Sequence, residues 1–216
     1  MPGQETFPLR MWDIGQCDSL KCTGQKLRRE GKISIIPIKK RFSGVVLSPL
    51  GKRLISKEDI PLILKSGLCV VDCSWNRIED VPWKTLRIQH PRLLPTLIAG
   101  NSTHYGQPQN LSCAEAIAAA LIIIGYESRA KFVLESFNWG TTFLRINREA
   151  FAAYTSCESE KELYGAQKSL FLEARQEIIE KKERREQRSL EASRKLLKQL
   201  NITDHCGEAG HKQRIG

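Results

Sequence analysis

Along residues 9–90, short apolar runs alternate with helix-like stretches. LRMWDIG (9–15) reads as a strand closing on Asp-x-Gly, and SLKCTGQKLRREG (19–31) as a basic helix capped by Ser19. KISIIPI (32–38) is strand-like but carries Pro37, which removes a ladder donor and predicts an edge position. GVVLSP (44–49) is a short buried strand closed by Pro49. In SKEDIPLILKSG (56–67), Ser56 and Asp59 predict a capped helix start and Gly67 its stop, and LCVVD (68–72) follows at once. Continuously apolar strands separated by helices predict a parallel sheet covered on both faces.

The pattern changes after LRI (86–88). HPRLLPTLIAGNSTHYGQPQN (90–110) reads as loop, and LSCAEAIAAALIIIGY (111–126) as a buried helix with a Ser112/Glu115 capping box. Residues 127–157 read as two short amphipathic helices parted at Asn138–Gly140. Nothing beyond 111 reads as strand. The expected architecture is therefore α/β, with a parallel-sheet domain over 1–90, a helical domain over 91–165, and a charged helical extension over 166–216. That extension is either an exposed helix laced with i,i+4 ion pairs or an arm contacting RNA or another partner. The final NITDHCGEAGHKQRIG (201–216) is expected to be disordered.

Charge sharpens the picture. The 216 residues hold 34 Lys+Arg against 24 Asp+Glu, a net +10. Such an excess fits a solvated surface or a polyanionic partner, nucleic acid above all. Basic groups gather at Lys26, Arg28 and Arg29, at Lys39, Lys40 and Arg41, and at Lys52 and Arg53, a pattern suited to phosphate contacts. The longest apolar run, AIAAALIII (116–124), is too short to span a bilayer, so no membrane role is expected. Seven cysteines, with no apolar leader before them, point to free thiols in a reducing compartment, cytoplasmic or nuclear. Cys17/Cys22 and Cys69/Cys73 are spaced more widely than a zinc knuckle and have no nearby histidine, which favours buried thiols over metal ligands.

Parallel sheets bind ligands beyond the carboxyl ends of their strands. Three such ends carry chemistry here: Asp72, Ser74 and Trp75; the Ser48–Gly51 turn; and the 92–101 segment. Asp72 suits a cationic group and Trp75 an apolar wall. The plainer alternative is that Asp72 caps the next turn and Trp75 packs in the core. Glycine-rich phosphate loops, G-x-S-x-G and H-E-x-x-H are all absent, and the four histidines are scattered, which disfavours nucleotide-driven and hydrolytic chemistry.

MWDIGQCDSLKCTGQKL (11–27), VVLSPLGK (45–52), VVDCSW (70–75), RLLPTLIAGNSTHYG (92–106) and LSCAEAIAAAL (111–121) occur in one order. Together they resemble the ribosome-biogenesis aminocarboxypropyltransferases of eukaryotes and archaea. The resemblance covers about residues 9–157. It implies an α/β domain with a deep trefoil knot, similar to the SPOUT methyltransferases, followed by an all-α domain. It implies S-adenosylmethionine as co-substrate and small-subunit pre-rRNA, or the pre-ribosomal particle, as partner, with the protein acting as a monomer. The 3-amino-3-carboxypropyl arm would pass to N3 of an N1-methylpseudouridine, releasing methylthioadenosine.

Carried onto this chain, the resemblance places Asp72, Trp75, Thr23, Ser48, Leu50, Leu93, Leu94, Leu97, Tyr105 and Ser112 around the cofactor. For arm transfer, Asp72 suits either the α-amino group or the sulfonium charge and is a candidate base for N3, while Trp75 with Ile78 and the 93–97 loop suits the wall that shields the methyl group. Lys26, Arg28, Arg29, Lys40, Arg41, Lys52 and Arg53 are the expected RNA ligands. Two positions depart from the family pattern: Thr96 stands where Tyr usually follows LLP, and the N-P-V-N-Y-G motif reads Asn101-Ser102-Thr103-His104-Tyr105-Gly106. A knotted methyltransferase and a noncatalytic assembly factor are the competing readings.

Overall fold

Strands buried on both faces need apolar side chains in both directions, and the β-branched and sulfur-bearing runs supply them. The computed structural model describes residues 6–18 and 21–204. It contains β1 (Leu9–Asp13), β2 (Ser34–Ile35), β3 (Phe42–Leu47), β4 (Leu68–Asp72) and β5 (Ile88–Arg92). All pair in parallel, in the order β2-β1-β4-β3-β5. The central β4 is buried throughout. Its register with β1 sets Asp13 beside Asp72; β3 ends at Leu47, opposite Val70 of β4, and β5 at Arg92, opposite Leu47. One sheet face packs Trp12, Phe42, Val46, Val71 and Leu86, with the Trp12 and Phe42 rings edge to face at 6.2 Å.

The helices are α1 (Thr23–Arg29), α2 (Ile60–Ser66), α3 (Cys113–Ile123), α4 (Glu127–Leu134), α5 (Gly140–Ile146), α6 (Arg148–Thr155) and α7 (Glu160–Asp204). Every residue of α3 is buried, and it packs against α1, β4, α4 and α6. A helix apolar on all sides has no solvent face to lose, so it forms the centre of the layer covering the sheet. Each fully buried Ile or Leu there contributes roughly 1.5–3 kcal/mol.

Several expectations shift. The serine cap of α1 falls on Ser19, outside the described residues; Cys22 caps the helix instead, its sulfur accepting the Gln25 N–H. Of KISIIPI only Ser34–Ile35 pair, at the sheet edge that Pro37 anticipates. β5 extends through His90–Arg92, read from sequence as loop, because an edge strand tolerates Pro91. Residues 127–157 form three helices rather than two, the extra break falling at Asn147. The 56–67 helix opens with a 3-10 turn, where Asp59 accepts the Ser56 N–H at 3.3 Å. Cys206, His205 and His211 lie outside the described residues.

The chain divides into two compact units, 1–168 and 169–216. In the second, the described helix is mostly exposed and carries i,i+4 pairs such as Lys181–Glu177 at 3.1 Å and Arg184–Glu180 at 3.5 Å. No described helix is long and apolar enough to cross a membrane.

Candidate active site

A cleft of about 850 Å³ opens at the carboxyl ends of β1, β4, β3 and β5. Its floor is Asp72, only 3% exposed. The thiols of Cys22 and Cys113 donate to its two oxygens at 2.9 and 3.0 Å. Burial, opposed by these hydrogen bonds, raises the Asp72 carboxyl above its ordinary range, and neighbouring Asp13 pushes the same way. Cys22 is raised by its hydrogen bond with Cys17, by burial and by Asp72, while Cys113 is raised by burial first and then by Asp72. Both therefore stay protonated and able to donate. Among the described residues Asp72 has no ion-pair partner. A buried carboxylate held only by weak thiol donors has the capacity to receive a cation.

Cys17, Cys22 and Asp72 also bring one potential metal-ligand atom each within 4.8 Å of the others. The six described cysteines are all free thiols.

The walls come from three directions. Trp75, half-buried in the 3-10 turn Trp75–Asp80, donates its indole N–H to the Leu111 carbonyl at 3.0 Å, which ties this turn to the segment leading into α3. Ser48 is buried, its N–H on the Arg92 carbonyl, and its hydroxyl accepts the Leu50 N–H at 3.2 Å. Where this turn passes β5, a Cβ on Gly51 would lie 2.7 Å from Arg92 and Leu93 backbone atoms, so glycine is required. Thr23 joins the start of α1 to that of α3 by accepting the Ala114 N–H at 3.4 Å.

The 93–101 loop has its backbone groups bound by helical side chains. Gln167 accepts the Thr96 N–H at 2.7 Å, and the Tyr154 hydroxyl donates to the Thr96 carbonyl. Asn147 accepts from Ile98 N–H at 2.7 Å and donates back to its carbonyl at 2.8 Å. Glu115, fully buried, accepts from the Gly100 and Asn101 N–H groups, the Asn101 amide, and the Ser112 N–H and hydroxyl. The Asp59 carboxylate grips Arg92 in a buried pair at 2.8 Å, just before the loop.

Of the residues expected around a cofactor, Thr23, Ser48, Asp72, Trp75, Leu93, Leu94 and Ser112 line the cleft, as do Ile78 and Lys52. Leu50, Leu97 and Tyr105 do not: Leu50 is 50% and Tyr105 61% exposed, while Leu97 is buried with its carbonyl taken by the Gln109 N–H. Of the expected RNA ligands, Arg28, Arg29, Lys40, Arg41, Lys52 and Arg53 are exposed. Lys26 donates to the Ser136 carbonyl and lies over the Phe137 ring, and Arg53 pairs with Glu160 at 2.7 Å. Sequence reasoning missed the thiol cradle of Asp72, the Asp59–Arg92 pair and the work of Glu115 beyond its cap. Only the last had a local signal.

The family model "Ribosome biogenesis protein, C-terminal" matches residues 45–171. The chain belongs to this family. Among its relatives, the 16S rRNA aminocarboxypropyltransferase of Methanosarcina acetivorans is 40% identical over 72% of this chain and 90% of its own length. The 18S rRNA aminocarboxypropyltransferase of Saccharomyces cerevisiae is 37% identical over 82% of this chain and 58% of its own length. The chain thus spans little more than half of the yeast relatives it matches. A solved structure, that of the SAM-dependent rRNA:acp-transferase from Vulcanisaeta distributa, is 36% identical, with a TM-score of 0.66 over 76% of this chain and 95% of the other.

Proposed function

We propose that the chain is an S-adenosylmethionine-dependent aminocarboxypropyltransferase acting on small-subunit rRNA during ribosome maturation. The observation that carries this reading is Asp72: a buried carboxylate with no cationic partner among the described residues, beside an indole, at the mouth of a parallel sheet. A sulfonium that also bears an α-ammonium offers the charge this floor lacks. Trp75 and Ile78 present an apolar wall suited to the methyl group, which leaves Cγ of the longer arm facing the cleft mouth. The bound 93–101 loop and the Ser48 turn suit the adenosine, held by backbone groups already fixed in place.

Attack by N3 of the target base forms the N3–Cγ bond as the Cγ–S bond breaks. The electron pair passes to sulfur, methylthioadenosine leaves, and the N3 proton is lost. Alignment of the two reactants supplies much of the rate. Asp72 serves first as the partner of the cation, with proton acceptance from N3 as the second role open to it.

The same reading assigns cofactor and RNA binding to 1–90, completion of the pocket to 91–165, and a deep trefoil knot of the SPOUT kind. The strand order β2-β1-β4-β3-β5 and the likeness to the archaeal transferase support the fold assignment. An experimental backbone trace without threading would retire the knot. Monomeric action in the cytoplasm, extending to the nucleus, completes the proposal and is consistent with the free thiols.

The test is turnover with carboxyl-labelled S-adenosylmethionine and small-subunit rRNA bearing N1-methylpseudouridine. Label is expected on RNA together with released methylthioadenosine. Release of S-adenosylhomocysteine would instead indicate a knotted methyltransferase, and no turnover an assembly factor.

A further inference from the structure

Four tryptophans occur in the sequence, and three of them are anchored. Trp12 donates its indole N–H to the Pro37 carbonyl at 3.3 Å, Trp75 to Leu111 at 3.0 Å and Trp83 to Ile78 at 3.2 Å. Trp139 borders the same cleft, half-buried, and its indole N–H meets no acceptor among the described residues. The ring is nonetheless held: it stacks on Phe137 with centroids 4.7 Å apart and planes 24° from parallel. Phe137 in turn lies under the Lys26 ammonium, 5.0 Å from the ring centre. The backbone beneath is also fixed, because a Cβ on Gly140 would sit 2.6 Å from the Leu134 carbonyl oxygen.

A backed aromatic plane with an unspent N–H donor, at the rim of a cleft, fits one chemical class. It offers stacking area to a planar ring and a hydrogen bond to an acceptor on that ring's edge. Lys21 and Lys52, which line the same cleft, favour a ligand with an anionic backbone. Single-stranded RNA has all three features, and unstacked bases are the parts of RNA that proteins grip in this way. We infer that Trp139 is a stacking platform for an unpaired rRNA base at the cleft, a substrate-positioning residue distinct from the cofactor's own contacts. The inference rests on the rRNA-modifying reading above and names a subsite within it.

The experiment compares wild type with Trp139→Phe, Trp139→Leu and Trp139→Ala. Binding of an unpaired rRNA loop oligonucleotide is read by fluorescence anisotropy, and S-adenosylmethionine affinity by calorimetry. Loss of one base–aromatic stack is expected to weaken RNA binding by roughly tenfold in the Leu and Ala variants. Trp139→Phe keeps an aromatic face and is expected to retain most of the affinity, with cofactor affinity unchanged in all three. Trp139→Leu guards against a folding artefact, since it preserves apolar bulk against Phe137. Equal RNA affinity for the Phe and Leu variants, or for wild type and Leu, overturns the proposal. So does a parallel fall in cofactor affinity, which would place Trp139 in the adenosine pocket. Either result leaves label transfer in the turnover assay intact, so this inference and the parent reading fail separately.

Discussion

Asp72 combines burial with a lack of counter-charge, and its ionisation sets the pH behaviour of the site. Its folded carboxyl is raised above the unfolded value of about 4. In that window the folded state binds more protons than the unfolded one, so the contribution of this group to stability falls as pH rises. It is fully present below the unfolded value and lost as pH climbs through the folded one. Asp72→Asn removes the titration, so the thermal midpoint of the ligand-free variant is expected to gain on wild type from pH 4 to 8. A difference that stays flat over this range would mean that Asp72 ionises without cost. Ligand binding should run the other way. A cation gains from ionised Asp72, so S-adenosylmethionine affinity in wild type is expected to rise with pH, and Asp72→Asn to lower it by about tenfold or more, as for a lost hydrogen-bonded charge contact. Asp72 and Trp75 were legible in the sequence because an aspartate and an indole are out of character at the end of an apolar strand. The thiols that cradle Asp72 were not. Cys22 and Cys113 are 50 and 41 residues away from it, and only the assembled sheet and α3 bring them together.

At the level of elements, the site depends on a loop without regular structure whose hydrogen bonds are supplied from outside. Periodicity revealed the strands and α3 well, since both have apolar patterns that repeat. It gave 90–110 as loop, which is right after Arg92, but could not show how that loop is held. Asn147, Tyr154, Gln167 and Glu115 are ordinary helix residues in one dimension. Their partners at 96–101 are long-range, and such pairings leave no local mark in the sequence. Glu115 has the largest consequence because it receives donors from the loop and from the start of α3 at once. Glu115→Ala strands several buried donors and is expected to destabilise the chain by roughly 3 kcal/mol or more. It should also lower S-adenosylmethionine affinity, since the 93–101 loop loses its mooring. Denaturant unfolding and calorimetric titration check both effects. Loss of stability with unaltered ligand affinity would show that the 100–101 segment does not shape the pocket.

At the scale of the whole molecule, the net +10 charge is large enough to matter for a polyanion, but the structure sorts the cations by what they already do. Arg53 is bound to Glu160 and, at 3.5 Å, to Glu58. Lys32 is 8% exposed in its side chain and packed among Glu30, Glu135 and the Phe132 ring. These groups secure contacts within the fold, and reversing them would test folding rather than binding. Arg28, Lys40, Arg41 and Lys52 are exposed and form no ion pair among the described residues. Composition alone could not separate the two sets, because pairing depends on where Glu58 and Glu160 come to lie. A combined Arg28→Glu, Lys40→Glu, Lys52→Glu variant is therefore expected to bind small-subunit rRNA at least about tenfold more weakly, with the salt dependence of binding shallower by roughly 0.7 for each cation that had touched a phosphate on single-stranded RNA. Its thermal midpoint should stay near that of wild type. A titration across salt concentrations decides the matter: unchanged affinity and slope would move the RNA surface elsewhere on the molecule, whereas weaker binding with an unchanged slope would mean these cations act through the fold and not on phosphates.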